Sequence, residues 1–186
     1  MLSLSNLWLP ILLSAVFVFL ASSLIHMVFK YHNSEYRQLA NEDEVRDAIR
    51  KHSPAPGQYV LPYCADMKEM GSEAMKQKYL DGPLGFLTLR PNGVPKMGPS
   101  LISWFLFTVL VSLFAAYICH VTLPTKMHYL TVFRVVGSAA FMAYGLGTIP
   151  GAIWMSRPWS AVFKELVDAL IYALLTAGTF GWLWPR

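Results

Sequence analysis

Leu101–Val121 reads LISWFLFTVLVSLFAAYICHV, a run without one Asp, Glu, Lys or Arg. A bilayer core about 30 Å thick is crossed by roughly 20 apolar residues in a helix, and this run meets that length. In hydrocarbon each backbone N–H and C=O must be satisfied internally, which a helix does within one segment. Three further runs are long and mainly apolar, two of them with charge inside: Leu4–Phe29, Tyr129–Ile153 and Val162–Trp184. A membrane β-barrel would instead show alternation over segments of about ten residues, and these runs do not alternate. A single polar block, Lys30–Ser100, separates the first run from the others. The pattern predicts an integral membrane protein, mainly α. Four transmembrane helices carry a small cytoplasmic α+β insertion between helices 1 and 2. The domains are residues 1–29, 30–100 and 101–186.

Composition agrees. Of 186 residues, 55% are hydrophobic, and the mean hydropathy is +0.42. No Lys or Arg precedes the first run, and the run is long for a signal peptide, so it reads as an uncleaved anchor. The net charge of +4 does not point to nucleic acid, because Lys and Arg beside membrane helices set orientation and meet anionic lipid. Lys30, Arg37, Arg90, Lys96, Arg157 and Lys164 flank one side; Lys126, Arg134 and Arg186 flank the other. This bias predicts a cytoplasmic polar block and periplasmic termini. All six tryptophans (Trp8, Trp104, Trp154, Trp159, Trp182 and Trp184) fall near predicted helix ends, where an amphipathic ring suits the headgroup layer.

The polar block nearly cancels its own charge, with ten Lys/Arg against nine Asp/Glu. Asn41 followed by Glu42, Asp43 and Glu44, then Arg50 and Lys51, predicts a capped helix whose charges suit its dipole. Gln58–Tyr63 and Leu84–Arg90 read as extended, and Asp66–Leu80 as helical but weakened by Gly71. Cys64 and Cys119 are too few for a disulfide framework or a zinc site, and the predicted topology sets them on opposite sides.

Small residues recur every four positions in the third and fourth runs. Ala139, Ala143, Gly147 and Gly151 form one row; Ala169, Ala173, Ala177 and Gly181 form the other. Such rows let helix backbones approach closely, between these two helices or toward another chain. Pro150 is expected to kink or end the third helix.

Charge inside a span is a candidate functional feature. Arg134 and Asp168 each lie about 9 Å from their own surface at 1.5 Å per residue, which separates them in depth. Arg134 suits a lipid phosphate or a partner carboxylate. Asp168 has Lys164 one turn away, with Glu165, Arg157 and His26 at a similar level, giving either a charge network that fixes orientation or a proton-responsive site. These same acids and His26 are the candidates for lipid chemistry. Cys119, His120 and His128 lack a carboxylate partner and do not predict a metal site. Haem is not expected either, since His26 and His120 fall in opposite leaflets. Walker, dinucleotide-binding and GxSxG motifs are absent, and no second half repeats the first in inverted order.

The second half resembles an uncharacterised family of small bacterial four-helix inner-membrane proteins. The resemblance rests on Phe133-Arg134, Pro158-Trp159-Ser160, Asp168 with Leu170–Gly178, and Phe180–Pro185; Pro56-Gly57-Gln58-Tyr59 is similar too. It implies a bacterial plasma membrane and a four-helix core, and it brings no activity, ligand or catalytic residue. The expected function is therefore a non-catalytic accessory, scaffold or assembly subunit, without a cofactor. Its expected partners are membrane lipids and other membrane subunits or a second copy. The alternative is an oligomeric transporter or channel for an ion or small solute, lined by Ser112, Tyr144, Thr148, Thr176 and Thr179.

Overall fold

A computed structural model describes residues 3–185; Arg186 lies outside the described residues. The chain is mainly helical and forms two units. One comprises residues 1–36, 96–153 and 157–186, and the other residues 37–95 and 154–156. The stretch from Lys30 to Tyr36 thus belongs with the apolar helices and not with the polar insertion.

In the first unit, a 3₁₀ turn at Leu4–Leu7 leads into α1 (Trp8–Leu24), which closes in a π turn at Ile25–Phe29. Helix α4 is Met97–Thr122 and α5 is Tyr129–Tyr144. A 3₁₀ turn at Leu146–Thr148 joins α5 to the short α6 (Ile149–Met155), and α7 is Trp159–Trp182. Among the described residues, three stretches are long and apolar enough to cross a membrane: Leu4–Phe29, Met97–Thr122 and Tyr129–Met155. Helix α7 carries Lys164, Glu165 and Asp168 near its start and is not one of these three.

Helix α1 packs on α4 and α7, and α5 packs on α7 and α4. Hydrogen bonds register α1 against α4. Ser14 donates to Ser112 at 3.0 Å, Trp104 Nε1 donates to Ser22 at 2.8 Å, and Thr108 is 3.4 Å from the Ala15 carbonyl. The rungs ascend one helix as they descend the other, so the two are antiparallel. In lipid, apolar contact between helices gives little net drive, and such bonds with close packing supply the association, at roughly 0.6 kcal/mol each. Leu7, Ile11, Cys119, Val132 and Phe180 fill one end of the bundle. Val18, Ile25 and Tyr172, with Trp104 and Tyr144 against them, fill the other.

The second unit holds α2 (Glu42–Lys51), α3 (Glu73–Asp81) and two strands, β1 (Gly57–Leu61) and β2 (Gly85–Leu89). The strands pair antiparallel, from Gly57 opposite Leu89 to Leu61 opposite Gly85. Asn41 does not cap α2 with its side chain. It adopts a left-handed backbone, φ 55°, and offers only its carbonyl. The expected Asp66–Leu80 helix breaks at Gly71, and α3 begins afresh where the Ser72 hydroxyl accepts from the Met75 N–H at 3.2 Å.

Candidate functional site

The π turn at the end of α1 sets up the site. Lys30 N–H reaches back five residues to the Ile25 carbonyl at 3.1 Å, and Lys30 itself is left-handed, φ 51°. Turns of this kind recur at functional sites because they re-aim side chains out of the regular helix. The chain then forms a 3₁₀ turn, Tyr31–Glu35, lying against α7.

Asp168, buried on α7, receives this segment. One carboxylate oxygen accepts from the Tyr31 hydroxyl. The other lies 2.8 Å from His32 Nε2. The second ring nitrogen of His32, Nδ1, lies 2.5 Å from a Glu35 carboxylate oxygen. Each His32 ring nitrogen thus faces a carboxylate oxygen, Nε2 that of Asp168 and Nδ1 that of Glu35. Lys164, one turn before Asp168, donates to the Tyr31 carbonyl at 2.8 Å and to Ser34 Oγ at 2.7 Å, and lies 3.7 Å from Glu35. Its ammonium also stands 5.8 Å from the centre of the Tyr31 ring. Lys164 and His32 thus face two carboxylates, so that the largely buried acids are hydrogen-bonded or paired.

His26 completes the group. Its ring stacks on that of His32 with centroids 4.7 Å apart and planes 6° from parallel. Its Nδ1 is 3.0 Å from the Ser22 carbonyl. A carbonyl only accepts, so Nδ1 carries the hydrogen and Nε2 keeps a free lone pair in the neutral ring. One donor atom each from His26, His32 and Asp168 lies within 4.8 Å of the others, a grouping able to hold a metal ion. His26 also lines an open apolar groove of about 250 Å³ with Ser22, Met27 and Trp104.

The chain has no match among family models, curated proteins or solved structures.

The other expected site residues are distributed as follows. Arg157 and Glu165 form a two-pronged ion pair, and this bond raises the Arg157 guanidinium further above its ordinary value. Lys164 takes Tyr31, Ser34 and Glu35 and not Asp168. Arg134 is exposed on α5 and joins none of the ion pairs among the described residues. On α7, Ala169, Ala173 and Ala177 are buried, and Gly181 lies under the Tyr129 ring. On α5 the packed positions are Gly137, Ala140 and Gly145, which meet this α7 face; Ala143 and Gly147 are exposed and Ala139 is half-buried. Gly151 makes room for the Arg157 stem. His128 accepts from the Leu130 N–H and so caps α5, while Cys119 is buried in the core.

Most hydroxyls named for a channel lining bond within the protein. Thr148, Thr176 and Thr179 donate to carbonyls of their own segment, and Ser112 accepts from Ser14. Tyr144 instead packs on Tyr172 with centroids 5.5 Å apart, and neither hydroxyl has a partner among the described residues.

Tyr31, His32, Ser34 and Glu35 escaped the sequence reading, which placed them at the start of the insertion. The available signal was a His and a Glu three residues apart, directly after a span and at the expected depth of Asp168.

Proposed function

We propose that this chain is a four-span protein of the bacterial inner membrane, serving as a non-catalytic accessory, scaffold or assembly subunit of a larger membrane complex. The fourth span is α7. Its 24 residues reach about 36 Å at 1.5 Å each, enough for the bilayer core. Its ionised side chains keep to the end near Tyr31–Glu35, where they are paired. Residues 37–95 are cytoplasmic in this reading, on the strength of the positive flanking charge, and the resemblance to small bacterial inner-membrane proteins belongs to the same proposal.

Arg134 carries the subunit reading. It stands exposed on an apolar helix, in a groove with Gly137, Ser138 and Phe141 of α5 and Leu170 and Leu174 of α7. A guanidinium placed in a span costs up to about 2.5–3.5 kcal/mol at the centre on insertion scales, and less near the surface. A carboxylate on a neighbouring membrane subunit, seated in this groove, removes that cost and gives a bidentate contact.

The experiment is purification of the untagged complex from the source membrane in mild detergent, with mass spectrometry of what travels with it. A membrane subunit in stoichiometric amount, lost in Arg134→Gln, supports the reading. A lone chain with only lipid attached overturns it, and so does selective ion or solute flux through vesicles holding this chain alone.

A further inference from the structure

We infer that His26, His32 and Asp168 form a binding site for a divalent transition-metal ion of the zinc class. The inference is independent of the subunit reading above. It rests on three features of the cluster, each visible without any ion.

The first is the donor set. Two imidazoles and one carboxylate leave a coordination position open, an arrangement suited to zinc and to other first-row divalent ions. Their donor atoms lie within 4.8 Å of one another. A tetrahedral ion with bonds of about 2.0–2.1 Å holds its ligands about 3.3 Å apart, so the side chains need draw in only modestly.

The second is how the rings are held. Metal-binding histidines give their other nitrogen to a carboxylate or a backbone carbonyl, which fixes tautomer and aim. Both histidines meet this condition: His32 through Glu35 at 2.5 Å, His26 through the Ser22 carbonyl at 3.0 Å. Nε2 is left as the ligating nitrogen on each. On His32 the ion takes the place of the proton shared with Asp168.

The third is that His26 has no part in the ionic clasp. Tyr31, His32, Glu35, Lys164 and Asp168 already satisfy one another. His26 adds no hydrogen bond to that network, yet its ring lies flat against His32. The His26 Nε2 is therefore left free to serve as a ligand, and a small adjustment of its last torsion, which is soft, aims it. The groove beside His26 then gives the open position access to water or a small ligand.

The test uses the full chain made without a polyhistidine tag, stripped with chelator and dialysed against Zn²⁺. Wild type is expected to retain one ion per chain. His26→Gln removes a ligand and leaves the clasp intact, so it should weaken binding at least about tenfold with unchanged melting. Glu35→Gln, at a positioning residue, should weaken binding about 10- to 100-fold. Co²⁺ substituted into wild type should show the intense visible bands of a low-symmetry nitrogen–oxygen site, a readout that needs no variant. Absence of stoichiometric binding overturns the inference. So does equal affinity in wild type and His26→Gln, which marks surface binding only, or a cobalt spectrum of hydrated ion or thiolate.

Discussion

Gly145 shows how much a single missing Cβ decides. A methyl group there would stand 2.9 Å from Ala169 Cβ, 3.1 Å from the Phe141 carbonyl oxygen and 3.2 Å from Leu166. The first two neighbours have no rotamer to give, so α5 and α7 would have to separate. Overpacking of this kind costs about 1–3 kcal/mol. Gly147, two residues on, meets nothing within 4 Å. Gly145→Ala should therefore lower the melting temperature in detergent by several degrees, while Gly147→Ala leaves it within error. Equal effects would mean that α5 and α7 do not touch at this point. The sequence put Gly147 in a packed row facing either α7 or another chain, because it contains two interleaved sets of small residues and spacing alone does not rank them. Asp168 was legible, since an acid amid apolar residues is conspicuous. His32 and Glu35 were not, because their place depends on a π turn that folds the chain back, and nothing in residues 25–30 marks that turn by composition.

Elements were easier to read than faces. The four apolar runs became four long helical stretches because twenty apolar residues leave few other ways to satisfy a backbone. The third is broken beside Pro150, as the proline led one to expect. Pro150 lies in the first turn of α6, where its missing N–H is harmless. The cost falls upstream, on the carbonyl that a continuous helix would have bonded, and the chain answers with the 3₁₀ turn at Leu146–Thr148. There Thr148 bonds the Gly145 carbonyl through both its N–H and its hydroxyl, at 3.0 and 2.8 Å. The α5 face is the departure. Moving two positions along an α-helix rotates the face by about 200°, so the packed Gly137 and Gly145, each two positions from the row of Ala139, Ala143 and Gly147, point nearly away from it. It follows that Ala143→Leu, on the exposed side, should not disturb the folded chain. Its melting temperature should match wild type, and any effect should appear as loss of a co-purifying subunit. A large fall in melting temperature would place Ala143 in the intramolecular contact and refute the observed face.

At the scale of the whole molecule, charge and apolar surface are sorted into different places. Many large apolar side chains of α1, α4, α5 and α7 are exposed, such as Leu20, Phe114, Phe163 and Trp182, as a lipid-facing surface demands. The charged residues gather in the insertion and in the cluster around Asp168. The two native cysteines sample both environments and make a topology test that needs no substitution. Cys64 belongs to the insertion and is half-buried, with its thiol 3.1 Å from the Asp66 carbonyl. Cys119, near the end of α4, is fully buried in the cluster that holds Leu7, Ile11, Val132 and Phe180. A membrane-impermeant maleimide should leave intact spheroplasts unlabelled if, as proposed, the insertion faces the cytoplasm. Inverted membrane vesicles should take up one label per chain, at Cys64. Cys119 should react only after denaturation, since reaching it requires the helices to part. Labelling of Cys64 in intact spheroplasts would reverse the proposed orientation while leaving the bundle in place. Rapid labelling of Cys119 in the folded protein would instead strike at the packing of α1 on α4.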